Sequence, residues 1–191
     1  MIVIGIDLSL LSTGICILQG DSNASPVVNT FLVEQVQVKG EKAELDRLVS
    51  ICSRIIRVVK DHPPNLVVIE APAMNQVWQM ARIGGLHYCV RMQLYLACGI
   101  VPSVEQATKL RSHVVGSISF KVDQVLDAKG KAKKKRDYGK IAGKNGKMRP
   151  ATVKDVIGMR LKDQGLTFQS QDEMDAYVCA RFGWDQLAGG S

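Results

Sequence analysis
Aromatic residues are scarce in this chain, 5% of its 191 residues. Histidines are fewer still: His62, His87 and His113 stand far apart, and neither HExxH nor GxSxG occurs. Zinc-protease and serine-hydrolase chemistry are therefore excluded. The five cysteines (Cys16, Cys52, Cys89, Cys98, Cys179) are odd in number and show no CxxC spacing. Each sits in an apolar segment, which makes them small buried hydrophobes rather than disulfide partners or zinc ligands. No uninterrupted apolar run reaches the roughly 18 residues of a membrane span. The apolar stretch from Met1 to Leu18 contains Asp7 and lacks a basic flank, so no secretory leader is expected. A phosphate loop is missing too. Gly143-Lys144-Asn145-Gly146-Lys147-Met148 has no glycine five residues before Gly146 and carries Met148 where a hydroxyl is needed. These absences describe a protein of a reducing compartment, the cytoplasm of a cell or host or an organelle matrix, neither secreted nor membrane-bound.

What is present is unevenly distributed charge. Residues 120–149 hold eleven basic residues against three acids, a local charge of +8 on a chain of net charge +7, so the rest sums to −1. Four glycines (Gly130, Gly139, Gly143, Gly146) are interspersed. A Lys/Gly-rich loop of this kind suits a polyanion, because lysines that neutralise phosphates release condensed counterions. A solvated loop that only aids solubility is the alternative.

Hydrophobic periodicity outlines one α/β domain over residues 1–191, the basic loop at about 120–149 included. Strands are expected at Ile2 to Asp7, Gly14 to Leu18 and Phe31 to Val38, an antiparallel meander. Glu41 to Asp61 has apolar residues at three- and four-residue intervals and is stopped by Pro63-Pro64, a helix. The unbroken Leu-Val-Val-Ile run of Leu66 to Glu70 is a strand covered on both faces, hence a mixed sheet flanked by helices. A helix at Gln76 to Cys98, a strand at Val101 to Val104 and a helix at Gln106 to Val115 follow. Pro150 suits the first turn of a helix that ends near Gln164 before Gly165, and Gln171 to about Phe182 is the last helix.

Carboxylates stand where packing alone does not call for them. Asp7 ends one apolar strand and Glu70 ends the other, at the strand ends where open α/β sheets bind ligands. On the last helix Asp172 and Asp175 are three apart and share a face. Ser170 and Glu173 fit a capping box, which gives Glu173 a structural role. Four oxygen donors without clustered His or Cys are a hard-ligand set, selective for Mg²⁺ or Mn²⁺. Two such ions can clamp the attacking water and leaving oxygen of a phosphodiester displacement. Each acid also has a plain structural role open to it: Asp7 can begin an Asx turn, and Asp172 and Asp175 can complement a helix dipole.

In order and spacing these pieces resemble the RuvC family of Holliday junction resolvases. The resembling segments are Ile4-Gly5-Ile6-Asp7 with Thr13-Gly14, Val67-Val68-Ile69-Glu70, Ala107-Thr108-Lys109 leading into Val114-Val115-Gly116, and Asp172-Glu173-Met174-Asp175-Ala176. The resemblance implies an RNase H-like fold and a homodimer that makes paired, symmetric nicks in four-way DNA junctions with Mg²⁺, in recombination and repair. It implies metal-binding catalytic roles for Asp7, Glu70, Asp172 and Asp175. It places Lys109 beside the scissile phosphate, although a surface helix lysine accounts for that residue equally well. Contacts to branched DNA are expected from Lys109, Arg111, Lys121, Lys131, Lys133, Lys134, Lys135, Arg136, Lys147 and Arg149. Two features depart from the family pattern. No aromatic closely follows Glu70, which leaves Met74 or Trp78 as the wedge that opens a junction, and the basic segment is longer than usual. Ala81, Gly84 and Gly85 give a small-residue helix face, suited either to a partner subunit or to packing within the chain. The alternative function is a non-catalytic branched-nucleic-acid-binding module with the same fold. An actin-like ATPase half lacks its second lobe here.

Overall fold
The computed structural model describes residues 1–22, 24–72, 77–116, 121–126, 132–137, 140–142 and 148–189. For residues 77–80, 115, 121–126, 132–137 and 142 the backbone alone is described. The chain divides into two compact units, residues 1–114 with 168–191, and residues 115–167.

The first unit is built on a five-stranded sheet of order β3-β2-β1-β4-β5. Strands β1 (Ile2–Asp7), β2 (Ser12–Gln19) and β3 (Val27–Glu34) form the antiparallel meander. After α1 (Glu41–Asp61), β4 (Leu66–Glu70) joins β1 in parallel. Helix α2 (Val77–Cys98) then leads to β5 (Ser103–Glu105), parallel to β4, and α3 (Ala107–Val115) follows. Two expected strands are shifted. Strand β3 starts at Val27 instead of Phe31 because it pairs with β2 along its whole length, from Gln19↔Val27 to Ser12↔Glu34. Strand β5 starts after Pro102, which has no N–H to give a ladder, with Ser103 opposite Val68.

Alternation along the central strands sorts their side chains by face. Ile4, Ile6, Ile15, Ile17, Val67 and Ile69 form one core with Ile51, Ile55 and Val59 of α1 and Leu86, Val90 and Leu94 of α2. The opposite face receives the last helix, α5 (Gln171–Ala188), which packs on β1, β2 and β4. Glycines permit that approach. A Cβ on Gly5 would collide with the Ala176 carbonyl and the Ala180 backbone nitrogen, and one on Gly14 with the Asp172 carbonyl. Helix α5 runs past the expected end near Phe182. Gly183 lies inside it, where a side chain would come within 2.7 Å of Val68 and 2.9 Å of Val3, and Trp184 beyond it is buried.

In the second unit the basic segment is not loop throughout. It contains the antiparallel pair β6 (Lys121–Leu126) and β7 (Ala132–Asp137) and the short pair β8 (Lys140–Ala142) and β9 (Met148–Pro150). Pro150 therefore ends a strand. Helix α4 (Val153–Asp163) begins later than expected because Thr152 caps it, in a reciprocal box with Asp155. It stops as expected at Gly165, whose φ of +82° turns the chain while Leu166 N–H donates to the Leu161 carbonyl at 2.9 Å.

All five cysteines are free. Cys16, Cys52 and Cys179 are buried, whereas Cys89 and Cys98 are only partly so. Burial, followed by the neighbouring Cys89, pushes the Cys52 thiol up to about 11, which keeps it protonated and inert at neutral pH. Among the described residues no helix is long and apolar enough to cross a membrane.

Candidate active site
Parity places the carboxylates. Asp7 follows Val3 and Gly5 on the β1 face that meets α5, and Glu70 follows Leu66 and Val68 on the same face of β4. Ile6 lies beside Ile69 in the parallel register, so both acids emerge together at the carboxyl ends of adjacent strands. The turn after Asp7 is held by short local bonds. Thr13 Oγ1 donates to the Ser9 carbonyl at 2.8 Å, and Ser9 Oγ accepts from the Leu11 and Ser12 N–H groups.

The start of α5 supplies the other two acids. Glu173 has the capping role expected of it: its carboxylate accepts from the Gln169 and Ser170 N–H groups at 3.0 and 3.1 Å, and Ser170 Oγ accepts from the Glu173 N–H. Thr30 Oγ1 donates to its other oxygen. Asp172 is thereby seated against Gly14, which stands opposite Asp7 in the β1–β2 ladder. Asp175 is 1% exposed and lies one turn further on.

A cation among these acids is Arg111. Its Nη2 donates to both Glu70 oxygens at 3.3 and 3.4 Å and to Asp175 Oδ1 at 3.4 Å. The buried Cys179 thiol is pushed well up, by burial first and then by the charges of Glu70, Asp7 and Asp175. Lys109, expected near the scissile phosphate, pairs with Glu105, the neighbour of Glu70 in the β4–β5 register. Its Nζ donates to Glu105 Oε2 at 2.7 Å and lies 5.0 Å from the Phe182 ring centroid. That bond holds the Glu105 carboxyl below its usual range. The inward role of Arg111 had a signal in the sequence: Ala107, Leu110, Arg111 and Val114 follow the i, i+3, i+4, i+7 stripe of an amphipathic helix, with an arginine inside it.

Four carboxylates and no imidazole or thiolate suit a hard divalent cation, and a guanidinium held between two of them shows that this group attracts positive charge. Among the described residues, no three acidic, His or Cys side chains are drawn close enough to hold an ion as they stand. On the other side of Asp7 and Glu70 opens a cleft of about 470 Å³, walled by the turn after β1, by Pro72 and by α1 and α2.

The residues expected to contact DNA are dispersed. Lys121 lies in β6, and Lys133, Lys134, Lys135 and Arg136 in β7. Lys131, Lys147 and Met74 fall outside the described residues, as does the Trp78 side chain. Arg149 forms a two-bond pair with Asp155 at 2.8 and 2.9 Å, the capping residue of α4, and so has a structural role.

A five-stranded mixed sheet with helices on both faces and acids at the ends of its central parallel strands is the RNase H-like class of α/β fold. Among solved structures the chain shares this fold with RuvC of Thermus thermophilus. In its complex with a Holliday junction substrate the TM-score is 0.67 at 13% identity, covering 99% of this chain and 97% of that one. A second Thermus thermophilus RuvC structure gives 0.65 at 15% identity, with the same coverage. The yeast mitochondrial Holliday junction resolvase Ydc2 gives 0.50 at 10% identity, covering 98% of this chain and 80% of that one. No family model and no curated protein sequence matches the chain.

Proposed function
We propose that the protein is a divalent-metal-dependent endonuclease that resolves four-way DNA junctions by paired symmetric nicks, one from each subunit of a homodimer. The observation that supports this most directly is that Asp7 and Glu70 end adjacent strands and Arg111 links Glu70 to Asp175, in a fold shared with junction resolvases. Asp7, Glu70, Asp172 and Asp175 would hold Mg²⁺, with Mn²⁺ as substitute. When bound, the ion would lower the pKa of water and polarise the phosphate. Arg111 holds Glu70 and Asp175 in place and offers a donor to a phosphate oxygen in the same centre. Lys109, on the same helix and half exposed, is available to the flanking backbone. The basic residues of β6 and β7 supply salt-sensitive affinity, on a two-stranded ribbon rather than a loop.

Dimerisation is favoured by α2. Among the described residues, an added Cβ on Gly84 or Gly85 meets nothing within 4 Å, which favours a partner subunit at these glycines. On the same helix Tyr88, Tyr95 and Leu96 are 69%, 61% and 67% exposed. An apolar face of this kind suits a second copy of the chain. Light scattering should give a dimer mass, and Leu96→Glu a monomer.

The nuclease reading is tested with end-labelled four-way junction, matched duplex and forked duplex, each with Mg²⁺ or EDTA. Paired nicks in the junction, absent with EDTA and in Asp7→Asn, are the expected result. Equal cutting of the fork broadens the substrate to branched DNA. Tight junction binding without cleavage by the wild type overturns the enzyme reading in favour of a binding module.

A further inference from the structure
The cleft beside the carboxylates contains polar groups that the phosphodiester chemistry does not use. Arg47 of α1 and His87 of α2 both line it, yet they are only 5% and 6% exposed. Arg47 Nε and His87 Nδ1 are buried and have no hydrogen-bond partner among the described residues. An unmade hydrogen bond on a buried polar atom costs about 1–3 kcal/mol, and two at one cleft point to a ligand that completes them. The guanidinium of Arg47 is not otherwise idle. Glu44 lies 3.5 Å from its Nη2 and also pairs with Arg82, which is half exposed at the rim of the same cleft.

Of the remaining lining residues besides Asp7 and Glu70, Ser9 and Gln37 are polar and the rest are apolar. Leu8 and Leu10 come from the turn after β1, Pro72 follows Glu70, and Ile83 comes from α2. A cleft of about 470 Å³ is within the range that encloses a small organic ligand. Apolar side chains, a rim cation and two unsatisfied side-chain nitrogens match the three parts of a nucleotide: the flat base, the phosphate and the polar base edge. An isolated anion fits poorly, since Asp7 and Glu70 line the same space.

We propose that this cleft is a nucleobase subsite, in which a base unstacked from the strand being cut lies between the apolar side chains while Arg47 and His87 hydrogen-bond its edge. Arg82 meets the adjoining phosphate. The subsite rests on the nuclease reading for its strand, and it adds a determinant of which sequence is cut. His87 suits the edge because burial, with Arg91 nearby, lowers its pKa to about 4. It is therefore neutral at pH 7, and its unpartnered Nδ1 donates or accepts according to the tautomer, beside the Nε donor of Arg47.

The test uses immobile four-way junctions in which single nucleotides around the crossover are replaced, one at a time, by an abasic tetrahydrofuran unit. Nicking with Mg²⁺ and binding in EDTA are both measured, for wild type, His87→Ala, His87→Gln and Leu11→Trp. Leu11 is an exposed residue of the cleft wall, so its replacement narrows the cleft without entering the core, should His87→Ala fail to fold. The expected result is one position at which removing the base weakens wild-type binding at least about fivefold, the effect of a lost edge contact. That sensitivity should vanish in His87→Ala and Leu11→Trp and partly return in His87→Gln, whose amide keeps a donor and an acceptor. Base removal that is equally harmful in all proteins, or harmless at every position in the wild type, overturns the subsite. Failure of the nuclease reading is seen separately, as an intact junction left uncut by the wild type, and the binding measurement then still decides the subsite.

Discussion

Residues 1–114 with 168–191 and residues 115–167 use their sequence in opposite ways. The first unit buries continuous apolar strands between α1 and α2 on one side and α5 on the other, and sets Asp7 and Glu70 at the strand ends. The second contains the segment of charge +8, while the rest of the chain sums to −1. Acids that are to hold a metal must be fixed within fractions of an ångström, which needs rigid elements. Lysines that neutralise phosphates need only be numerous, because their contribution follows from counterion release. On the proposed function, chemistry and affinity fall to separate units, and each should be open to perturbation without the other.

Removing a carboxylate sharpens this comparison most. Asp7→Asn should lower junction cleavage by roughly a thousandfold, the scale seen when one charge-stabilising group is lost from an active site. Junction affinity should hold or rise, because a negative charge facing the phosphates is gone. Gel shift and single-turnover cleavage on the same preparation decide it, and loss of binding would mean that Asp7 is structural.

Neutralising Lys133, Lys134, Lys135 and Arg136 to Gln probes the other unit. Affinity should fall, and the slope of log K against log salt should shrink by about 0.9 for every phosphate contact removed. An unchanged slope makes the basic hairpin a solubility device. A smaller effect joins stability to geometry. Gly14→Ala forces a methyl group into the Asp172 carbonyl, so the start of α5 must move. A loss of about 1–3 kcal/mol in denaturant unfolding is expected. Cleavage should fall beyond what stability explains, since Asp172 moves with the backbone.

Much of the first unit was legible from periodicity alone. Strands β1 and β4 and helix α1 have the bounds that their apolar patterns imply, because each is covered on faces that the period of 2 or 3.6 records. Strands β3 and β5 were misplaced because their limits are set by partner strands, a long-range fact with no local signal. The capping roles of Ser170 and Glu173 were readable from four consecutive residues. The hairpin in the basic segment was not, since Ala-Lys-Lys-Lys-Arg-Asp has neither alternation nor β-branched residues to mark β7. In the site, Lys109 and Arg111 are two residues apart on one helix, and only the stripe through Leu110 and Val114 distinguishes the inward one.

The smallest effect concerns the cleft floor in the first unit and has its own pH signature. Burial lowers the His87 pKa from 6.5 to about 4 in the folded protein, so between those values the unfolded chain binds the additional proton. Linkage then requires that the stability due to neutral His87 be complete above about pH 6.5 and be lost progressively as pH falls toward 4. His87→Gln cannot titrate in that range. Its unfolding free energy relative to wild type should be constant above pH 6.5 and should shift in favour of the variant as the medium is acidified. Urea unfolding at half-unit intervals from pH 7 to pH 4 measures the difference. A pH-independent difference would mean that His87 titrates in the folded state as it does in the unfolded chain, and below about pH 6.5 the cleft would then carry a cation instead of a neutral hydrogen-bonding group. Substitution of a basic residue in β7 should leave this pH profile unchanged, which separates the buried histidine from the charge of the second unit.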